Sequence, residues 1–383
     1  MKINIVTIIG ARPQIIKAAA LSRAIRTGFH DQIEEIIVHT GQHYDENMSE
    51  VFFNEMEIPR PSYNLNVGSA SHGVQTAKMI VGIEEILLKE KPDYIVLYGD
   101  TNSTLAGAVA ASKLHVPIAH IEAGLRSFNK SMPEEINRIL CDHCSTLLFS
   151  PTKTGFDNLV NEGFNEHAVS PHSNDNPKIY HCGDVMYDNS LYFSKIAESK
   201  SNILSDNQLI SNSFILSTIH RDNNTDQPKR LNSIFRALVE IASLSKQQIV
   251  LPIHPRTAKM LPQILDKQLF DTVQSSNEII FIPPASFLDM ILLEKNASMV
   301  ITDSGGVQKE AYFFEKPCII LRSETEWREI VDVGAAILVN ADNEKIVDAW
   351  KSFQYMDSIN FIPIFGDGKA SEFICGELVA NAG

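Results

Sequence analysis

Short apolar runs alternate with amphipathic stretches along nearly the whole chain. The runs are rich in β-branched residues and nearly continuous, which is typical of strands buried on both faces of a parallel sheet. In the first half the predicted strands cover residues 3–9, 35–40, 94–98, 118–121 and 147–150. In the second half they cover residues 214–219, 249–253, 279–282, 299–302 and 318–321. Helical periodicity at 74–89, 105–114 and 231–245 separates them, so the sequence predicts an α/β protein.

A composition break divides this pattern in two. Residues 170–184 are rich in Pro, Asn, Ser and His, and we interpret them as a linker. A length of 383 residues suits two domains. We therefore expect two doubly wound, Rossmann-like domains over residues 1–175 and 176–364. The C-terminal residues 365–383 contain a helix-like segment that is a candidate to pack back on the first domain.

Composition and charge exclude several classes of protein. Hydrophobic residues make up 44% and charged residues 21% of the chain, as in ordinary globular proteins. The formal net charge of −14 argues against binding to nucleic acid or to an acidic membrane. The first apolar run is short and lacks a signal-peptide cleavage site, so we expect a cytoplasmic protein. Cys141 and Cys144 form the only CxxC, at helical spacing, and we interpret them as packed thiols.

Charged residues follow the predicted strands of the first half at the points where those strands end. Asp100 follows the third strand in "YGDTNSTLAG", and Glu122 follows the fourth in "HIEAGLRS". Arg12 and Lys17 follow the first strand, on either side of a proline that can begin a helix. Ligands of doubly wound sheets bind beyond the carboxyl ends of the strands. We therefore expect these side chains to face a ligand in a cleft between the two domains.

The segment "MPEEINR" supplies two further charged candidates. Glu134 and Arg138 are four residues apart on a predicted helix, at the spacing of an ion pair. The apolar residues Ile136, Ile139 and Leu140 predict the buried face of this helix. Glu134 and Arg138 are then expected on the opposite face, toward solvent or the other domain.

The strand ends of the second half predict an anion site. "TDSGGVQKEA" places Ser304, Gly305 and Gly306 between a strand and a helix, where backbone N–H groups meet the positive helix terminus. The glycines carry no side chain that would keep a phosphate away. His220 and His254 follow the first and second strands of this half. A pyrophosphate is the natural occupant, although neither the dinucleotide fingerprint nor the P-loop sequence is present.

Each feature also has a plainer interpretation. Asp100 alone is typical of a helix N-cap, the Glu134–Arg138 pair of a surface ion pair, and "DSGG" of a turn. Their convergence at the predicted ligand-facing edge of two sheets favours a site for an activated sugar. The diphosphate would be held by the second domain with Arg12 and His220, and acids of the first domain would act at a sugar carbon.

Seven ordered motifs resemble those of the non-hydrolysing UDP-N-acetylglucosamine 2-epimerases: "GARPQIIK", "TGQH", "YGDTNSTLAG", "HIEAGLRS", "MPEEINR", "TIHRDN" and "TDSGGVQKEA". With the closing "FGDGKAS", the resemblance spans residues 3–375. It implies the two-domain GT-B fold, a homodimer, a UDP-sugar substrate, and a reaction without metal or nicotinamide cofactor. It also implies a product used as a surface-polysaccharide precursor.

The resemblance implies roles by position. Asp100, Glu122 and Glu134 become acid/base candidates for elimination of UDP to a 2-acetamidoglucal and for its re-addition, without a division into base and acid. His220 is implied at the UDP phosphates or the glycosidic oxygen, and His254 is a substrate-binding candidate. The other implied contacts are Arg12, Lys17 and Arg138 with the sugar phosphate, Ser304, Gly305 and Gly306 with the diphosphate, and Glu310 with the ribose.

Two sets of residues bear on substrate activation and on the choice of substrate. Enzymes of this family that are activated by their own substrate carry a basic residue and then a glutamine after "QH", whereas here Tyr44 and Asp45 follow Gln42 and His43. This departure argues against substrate activation. "GARPQ", "HTGQHYDENMS" and the "TEW" of residues 325–327 are closer to a subgroup that includes epimerases of UDP-2,3-diacetamido-2,3-dideoxyglucuronate. UDP-N-acetylglucosamine is the first candidate substrate, and this second sugar is the alternative.

Two other functions use the same features. A retaining glycosyltransferase with the GT-B fold would share the diphosphate site and would transfer sugar only when an acceptor is present. A non-catalytic nucleotide-sugar sensor would bind the UDP-sugar without exchanging its C2 proton.

Overall fold

The computed structural model describes residues 2–41, 58–253, 255–356 and 358–382, with the backbone alone at residues 255 and 256. The chain divides into two compact units. The first consists of Met1–Asn189 with Pro363–Gly383, and the second of Ser190–Ile362. Each unit is built on one parallel sheet, in agreement with the expected α/β class.

The first unit contains a seven-stranded sheet of order β3-β2-β1-β4-β5-β6-β7. Its strands are β1 (Ile3–Ile9), β2 (Ile33–His39), β3 (Tyr63–Asn64), β4 (Tyr94–Tyr98), β5 (Ile118–Ile121), β6 (Leu147–Ser150) and β7 (Lys178–His181). Its first helices are α1 (Arg12–Ala24), continued by the π-helical turn Ile25–Phe29, α2 (His72–Glu90), α3 (Asn102–Leu114), α4 (Pro133–Cys144) and α5 (Lys153–Asn161).

The second unit contains a six-stranded sheet of order β10-β9-β8-β11-β12-β13. Its strands are β8 (Phe214–Thr218), β9 (Gln248–Pro252), β10 (Ile279–Ile282), β11 (Met299–Thr302), β12 (Cys318–Ile320) and β13 (Ala336–Leu338). The helices from the unit boundary onward are α6 (Val185–Lys200), α7 (Ile203–Asp206), α8 (Asp222–Thr225), α9 (Pro228–Ser245), α10 (Pro255–Ile264), α11 (Lys267–Ser275), α12 (Phe287–Asn296), α13 (Gly305–Phe313), α14 (Arg328–Asp332) and α15 (Asn343–Gln354).

The apolar runs form the sheet interiors because helices cover them. In the first unit Val6, Ile8 and Leu97 from the sheet pack with Met79 and Ile83 of α2, and all five side chains are buried. Burial on both faces explains why these strands are continuously apolar. The parallel register aligns the carboxyl ends of neighbouring strands along one edge, as the Leu97–His120 and Tyr98–Ile121 pairs show.

Strand β7 corrects the sequence-based interpretation of residues 170–184 as a linker. It lies within that segment and pairs in parallel with β6, so the linker interpretation is wrong there. β7 is an edge strand in which only Ile179 is buried, so its sequence lacks the apolar signal of the inner strands. The division between the two units falls between Asn189 and Ser190, within α6, and not at the expected residues 175 and 176.

The C-terminal helix α16 (Ala370–Ala380) belongs to the first unit and packs against α1. Asp188 accepts hydrogen bonds from the backbone N–H groups of Ala370 (3.2 Å) and Ser371 (2.7 Å) and from the Ser371 hydroxyl (2.6 Å). A buried carboxylate at a helix N-terminus satisfies N–H groups that have no intrahelical partner. Across the described ranges, none of the helices combines the length and apolar content needed to span a bilayer.

Candidate active site

Asp100 lies just beyond β4 and is held by an ion pair. The N-cap of α3 is Thr101, whose hydroxyl accepts a hydrogen bond from the Thr104 N–H (3.3 Å). The helix-cap interpretation of Asp100 is therefore wrong, because the residue after it performs that role. The Asp100 carboxylate pairs with the guanidinium of Arg138 on α4, and its backbone carbonyl accepts a hydrogen bond from Asn137 (2.9 Å).

Glu122 lies just beyond the neighbouring strand β5 and pairs with Lys17 of α1. Both side chains are largely buried. Glu122 has a φ of 71°, in the left-handed region that a residue with a Cβ seldom adopts. Such a backbone costs about 1–3 kcal/mol and is found preferentially at functional sites, where the surrounding structure enforces it.

The first unit brings five of the expected site residues within electrostatic range of one another. Burial raises the pKa of Asp100 above its usual value. The positive charges of Arg138 and Lys17 lower this pKa, and the negative charges of Glu122 and Glu134 raise it. Glu134 is exposed, in the first turn of α4. Three carboxyl groups of different environment with two cations form an arrangement suited to proton transfer.

Helix α4 buries its polar face, contrary to expectation. Ile136 and Leu140 are 38% and 44% exposed, whereas Glu135, Asn137 and Arg138 are buried. The apolar positions therefore do not mark the core face of this helix. The polar face turns inward because its side chains hydrogen-bond to the loops that carry the site residues, and buried polar groups require such partners.

Glu135 is the partner of Arg138 in α4, a role expected of Glu134. Its carboxylate accepts hydrogen bonds from the backbone N–H groups of Ser127 and Phe128, both at 2.9 Å, and from Arg138 at 2.8 Å. Burial acts against its charge, but these donors outweigh burial and lower the pKa of Glu135. Glu135 thereby ties Arg138 to the loop before α4.

A buried glutamine fixes the loop that begins α1, where Arg12 is the first, exposed helical residue. Gln14 Oε1 accepts hydrogen bonds from the N–H groups of Gly10 (2.9 Å) and Ala11 (3.2 Å). Its Nε2 donates to the carbonyl of Tyr98 (3.1 Å), at the end of β4. The first and third predicted strand ends are thus joined by a residue that sequence reasoning did not select, although it stands within "GARPQ".

In the second unit, Asp303 organises the loop that carries His220. Asp303 is fully buried at the end of β11 and accepts hydrogen bonds from the N–H groups of His220 (3.1 Å) and Arg221 (3.1 Å) and from the side chain of Asn224 (3.0 Å). His220 Nδ1 lies 3.2 Å from Asp303 Oδ1, while its side chain is 48% exposed. The carboxylate thus orients an accessible imidazole beside the "DSGG" loop.

Ser304, Gly305 and Gly306 form the N-terminus of α13, as the sequence predicts. Ser304 is the N-cap and accepts a hydrogen bond from the Val307 N–H (3.5 Å). Trp327 of "TEW" donates its indole N–H to the Gly305 carbonyl at 3.0 Å. The segment that distinguishes the subgroup therefore packs against the helix terminus suited to a phosphate.

Two acids on α12 and α13 form a second carboxyl pair. Glu294 is buried on α12 and hydrogen-bonded to Glu310 on α13. Burial first, and then the neighbouring Glu310, raise the pKa of Glu294 well above its usual value. Both effects disfavour the charged form of Glu294 beside Glu310. His254, expected near this site, lies outside the described residues.

Two doubly wound units, one with a helix terminus suited to an anion, define a chain of the GT-B class of nucleotide-sugar proteins. Within that class the chain belongs to the UDP-N-acetylglucosamine 2-epimerase family, whose sequence model matches residues 27–379. The expected family, fold class and enzyme class, an isomerase, are confirmed.

Similar proteins agree with this assignment. A UDP-N-acetylglucosamine 2-epimerase homolog from Methanococcus maripaludis is 50% identical, over 96% of this chain and 97% of the relative. The UDP-2,3-diacetamido-2,3-dideoxy-D-glucuronate 2-epimerase of Pseudomonas aeruginosa is 48% identical, over 97% of this chain and 98% of the relative. The crystal structure of the Methanocaldococcus jannaschii UDP-GlcNAc 2-epimerase in complex with UDP-GlcNAc and UDP has a TM-score of 0.81 at 44% identity, covering 98% of this chain and 99% of that one.

Proposed function

We propose that this protein epimerises C2 of a UDP-linked 2-acetamido sugar, with conversion of UDP-N-acetylglucosamine to UDP-N-acetylmannosamine as the first candidate reaction. The observation that carries the proposal is the group of Asp100, Glu122 and Glu134 with Lys17 and Arg138 in the first unit. Removal of a proton from carbon and its return require acids and bases held in different environments, and this group provides them.

The proposed reaction is an elimination followed by an addition. A carboxylate removes the C2 proton while the bond from C1 to the UDP oxygen breaks, which gives a 2-acetamidoglucal and UDP. UDP then adds back to C1 while a carboxylic acid protonates C2 from the opposite face. Asp100, Glu122 and Glu134 are the candidates for both proton transfers. Positive charges beside the departing UDP stabilise its developing negative charge.

We propose that the second unit holds the nucleotide diphosphate. The N–H groups and dipole at the start of α13 suit an anion, so Ser304, Gly305 and Gly306 are assigned to the diphosphate. His220, oriented by Asp303, is assigned to the phosphates or the glycosidic oxygen. Arg12, Lys17 and Arg138 are assigned to the sugar phosphate, Glu310 to the ribose, and His254 remains a candidate for substrate binding.

UDP-2,3-diacetamido-2,3-dideoxyglucuronate is the second candidate substrate. The 48% identical relative from Pseudomonas aeruginosa is named for UDP-2,3-diacetamido-2,3-dideoxy-D-glucuronate, and the "TEW" segment packs against the α13 terminus. The same acid and base groups would serve that sugar, because its C2 also carries an acetamido group. We propose it as the alternative substrate.

The test is deuterium exchange at C2. The protein is incubated in deuterated water with each of the two UDP-sugars, and C2 is followed by NMR. We expect deuterium at C2 and the appearance of the C2 epimer with at least one sugar. A retaining glycosyltransferase or a nucleotide-sugar sensor would leave C2 protonated. Absence of exchange with both sugars contradicts the proposed function.

A variant pair separates chemistry from stability at the same loop. We expect Asp100→Asn to abolish exchange and to leave the dissociation constant for UDP nearly unchanged. Thr101→Ala is the matched control: it removes the cap of α3, which lowers stability by ~1 kcal/mol, but keeps the carboxylate. If both variants lose only thermal stability, Asp100 has no catalytic role.

The assembly and setting of the protein are also proposals. We propose a homodimer in the cytoplasm that supplies a precursor for surface polysaccharide. Exposed apolar residues on α2 and α4 of the first unit support self-association. The structures of UDP-GlcNAc 2-epimerases from Methanocaldococcus jannaschii and Neisseria meningitidis contain UDP-GlcNAc, which supports a UDP-sugar as the ligand.

A further inference from the structure

His120 lies on β5 behind the carboxylates of the first unit and is fully buried. Its Nε2 is 2.8 Å from the carbonyl oxygen of Gly99, and its Nδ1 is 2.7 Å from Asp142 Oδ1. A carbonyl oxygen can only accept a hydrogen bond, so Nε2 carries a proton. The protonation of Nδ1 then depends on the state of Asp142.

Asp142 has two donors at its other oxygen, which favour its charged form. Oδ2 accepts hydrogen bonds from the Gly124 N–H (3.1 Å) and pairs with the Arg126 guanidinium (2.7 Å). Burial acts against the charge of Asp142, but His120 and Arg126 outweigh burial and lower its pKa. The charged form is therefore favoured, and His120 Nδ1 donates to Oδ1. The ring is therefore an imidazolium with both nitrogens protonated. Burial acts against this charge, but Cys141 and Asp142 outweigh burial and raise the pKa of His120 well above its usual value.

The far side of Asp142 is anchored to the rest of the unit. The Arg126 guanidinium is almost fully buried and donates to both carboxylate oxygens of Glu162 at 2.7 Å. Gly124 donates to Asp142 and accepts a hydrogen bond at its carbonyl from Asn158 (2.9 Å). The loop that follows Glu122 is thus held on two sides. Arg126, which belongs to the "HIEAGLRS" segment, lies in this buried network.

We propose that the His120 imidazolium is a positioning residue for C2 epimerisation. Through Gly99 it fixes the peptide that leads into Asp100, and through Asp142 it fixes the loop that carries Glu122. It therefore sets the separation of the two carboxylates without touching the substrate. The inference rests on the proposed function, in which both carboxylates act on one sugar. A misplacement of ~1 Å at such groups can lower a rate ~100-fold.

The first test needs no activity. Ring ¹⁵N NMR of the wild-type protein, with the His120 signal assigned by its loss in His120→Gln or by triple-resonance spectra, reports the protonation of both nitrogens. We expect the imidazolium signature to persist from about pH 6 to about pH 9, whereas an ordinary histidine titrates near pH 6.5. The groups that face the ring are Asp142 and Cys141, with Arg126 beyond Asp142. A neutral ring in this pH range overturns the proposal.

The second test separates positioning from folding. His120→Asn can still donate to Asp142 but not to Gly99, and His120→Gln can still reach Gly99 but not Asp142. We expect each variant to lower kcat about 100-fold, with KM and the dissociation constant for UDP changed by less than about twofold. Asp142→Asn is expected to lower kcat similarly, and the double variant with His120→Asn no further, because the two residues act as one unit.

The matched control is Ile33→Ala, which removes a buried side chain at the amino end of β2, away from the strand ends that carry the site. It is expected to lower Tm with little change in kcat. If the His120 variants lose no more kcat than Ile33→Ala at an equal loss of Tm, the role is structural and the proposal is wrong. Failure of the proposed function is distinguishable, because then the wild-type protein itself shows no C2 exchange, whatever the NMR result.

Discussion

The proton affinity of Asp100 is set by opposing effects within one small group of side chains. Burial disfavours its charged form and raises its pKa. Arg138, in direct contact, and Lys17 favour the charged form and lower the pKa. Neighbouring Glu122 and Glu134 raise it again. Asp100 thus has a raised pKa within a group of opposing charges, which suits a carboxyl group that exchanges a proton in the proposed reaction.

Replacement of Arg138 by Gln is expected to shift the pH profile of the enzyme. Loss of the positive charge removes the largest effect that lowers the Asp100 pKa, so this pKa rises further. If activity requires ionised Asp100, the acidic limb of log kcat/KM moves to higher pH, and activity is lost at a pH where the wild type is still active. The measurement is kcat/KM across the acidic and neutral range. Lys2→Gln, which removes an exposed charge paired with Glu34, is the control and should leave the limb in place.

At the level of single residues, the sequence predicts the candidate site residues that follow the strands better than the residues that hold them in place. Asp100, Glu122 and His220 are recognisable because each follows a strand. Glu135 and Asp303 are not, because their importance comes from hydrogen bonds to loops that are distant in sequence. The same holds for His120, whose partners lie 21 and 22 residues away.

Helix α4 shows how a functional element departs from amphipathic periodicity. Its polar face is buried because it satisfies the backbone of two loops, and Ile136 and Leu140 are left exposed. Periodicity assigns the apolar side to the core only when the core is apolar. The sequence does not predict edge strand β7 for a related reason: only one of its residues is buried, so its apolar pattern is too weak to recognise.

Two adjacent glutamates of α4 are expected to respond oppositely to substitution. Glu135→Gln weakens two backbone hydrogen bonds and the pair with Arg138, so we expect a loss of ~2 kcal/mol in the free energy of unfolding at neutral pH. Glu134→Gln alters an exposed side chain and should change stability by less than ~0.5 kcal/mol while lowering C2 exchange. Urea unfolding and deuterium exchange of both variants measure this contrast.

The pH dependence of Glu135→Gln provides a check on its cause. The folded-state pKa of Glu135 is lowered, so its carboxylate contributes stability above the unfolded-state pKa and loses it as the pH falls through the folded-state pKa. The stability difference between wild type and Glu135→Gln should therefore shrink toward acidic pH. A difference that is constant with pH would mean that packing, not charge, is responsible.

On the scale of the whole molecule, alternation of strand and helix predicts both sheets because parallel strands are buried on both faces. The bounds of β1, β4, β5, β6, β10 and β11 follow directly from the apolar runs. The division between the units cannot be predicted from the apolar runs, because it falls inside helix α6, where the sequence has no break in composition. The two halves of α6 are assigned to different units by their tertiary contacts, and the hydrophobic periodicity of the helix carries no information about these contacts.

Exposed apolar residues on helix α2 predict that the whole molecule self-associates. Val74, Val81 and Leu88 recur at intervals of seven on α2 and are 49%, 58% and 56% exposed. Residues seven apart lie on nearly the same face of a helix, so the three side chains form one apolar stripe. With a net charge of −14, two copies repel each other, and apolar contacts along this stripe would offset that repulsion.

We therefore expect Val81→Glu to convert the proposed dimer to a monomer, as measured by analytical ultracentrifugation at several protein concentrations. A charge at the centre of the stripe would be desolvated in the interface without a partner, and one such charge outweighs the gain from a small apolar contact. Leu244→Glu is the matched control, because Leu244 is 53% exposed on α9 of the second unit. A dimer that survives Val81→Glu, or dissociates with Leu244→Glu, places the interface away from α2. If the Val81→Glu monomer still exchanges deuterium at C2, each chain carries a complete site, whereas loss of exchange on dissociation makes the partner necessary for activity.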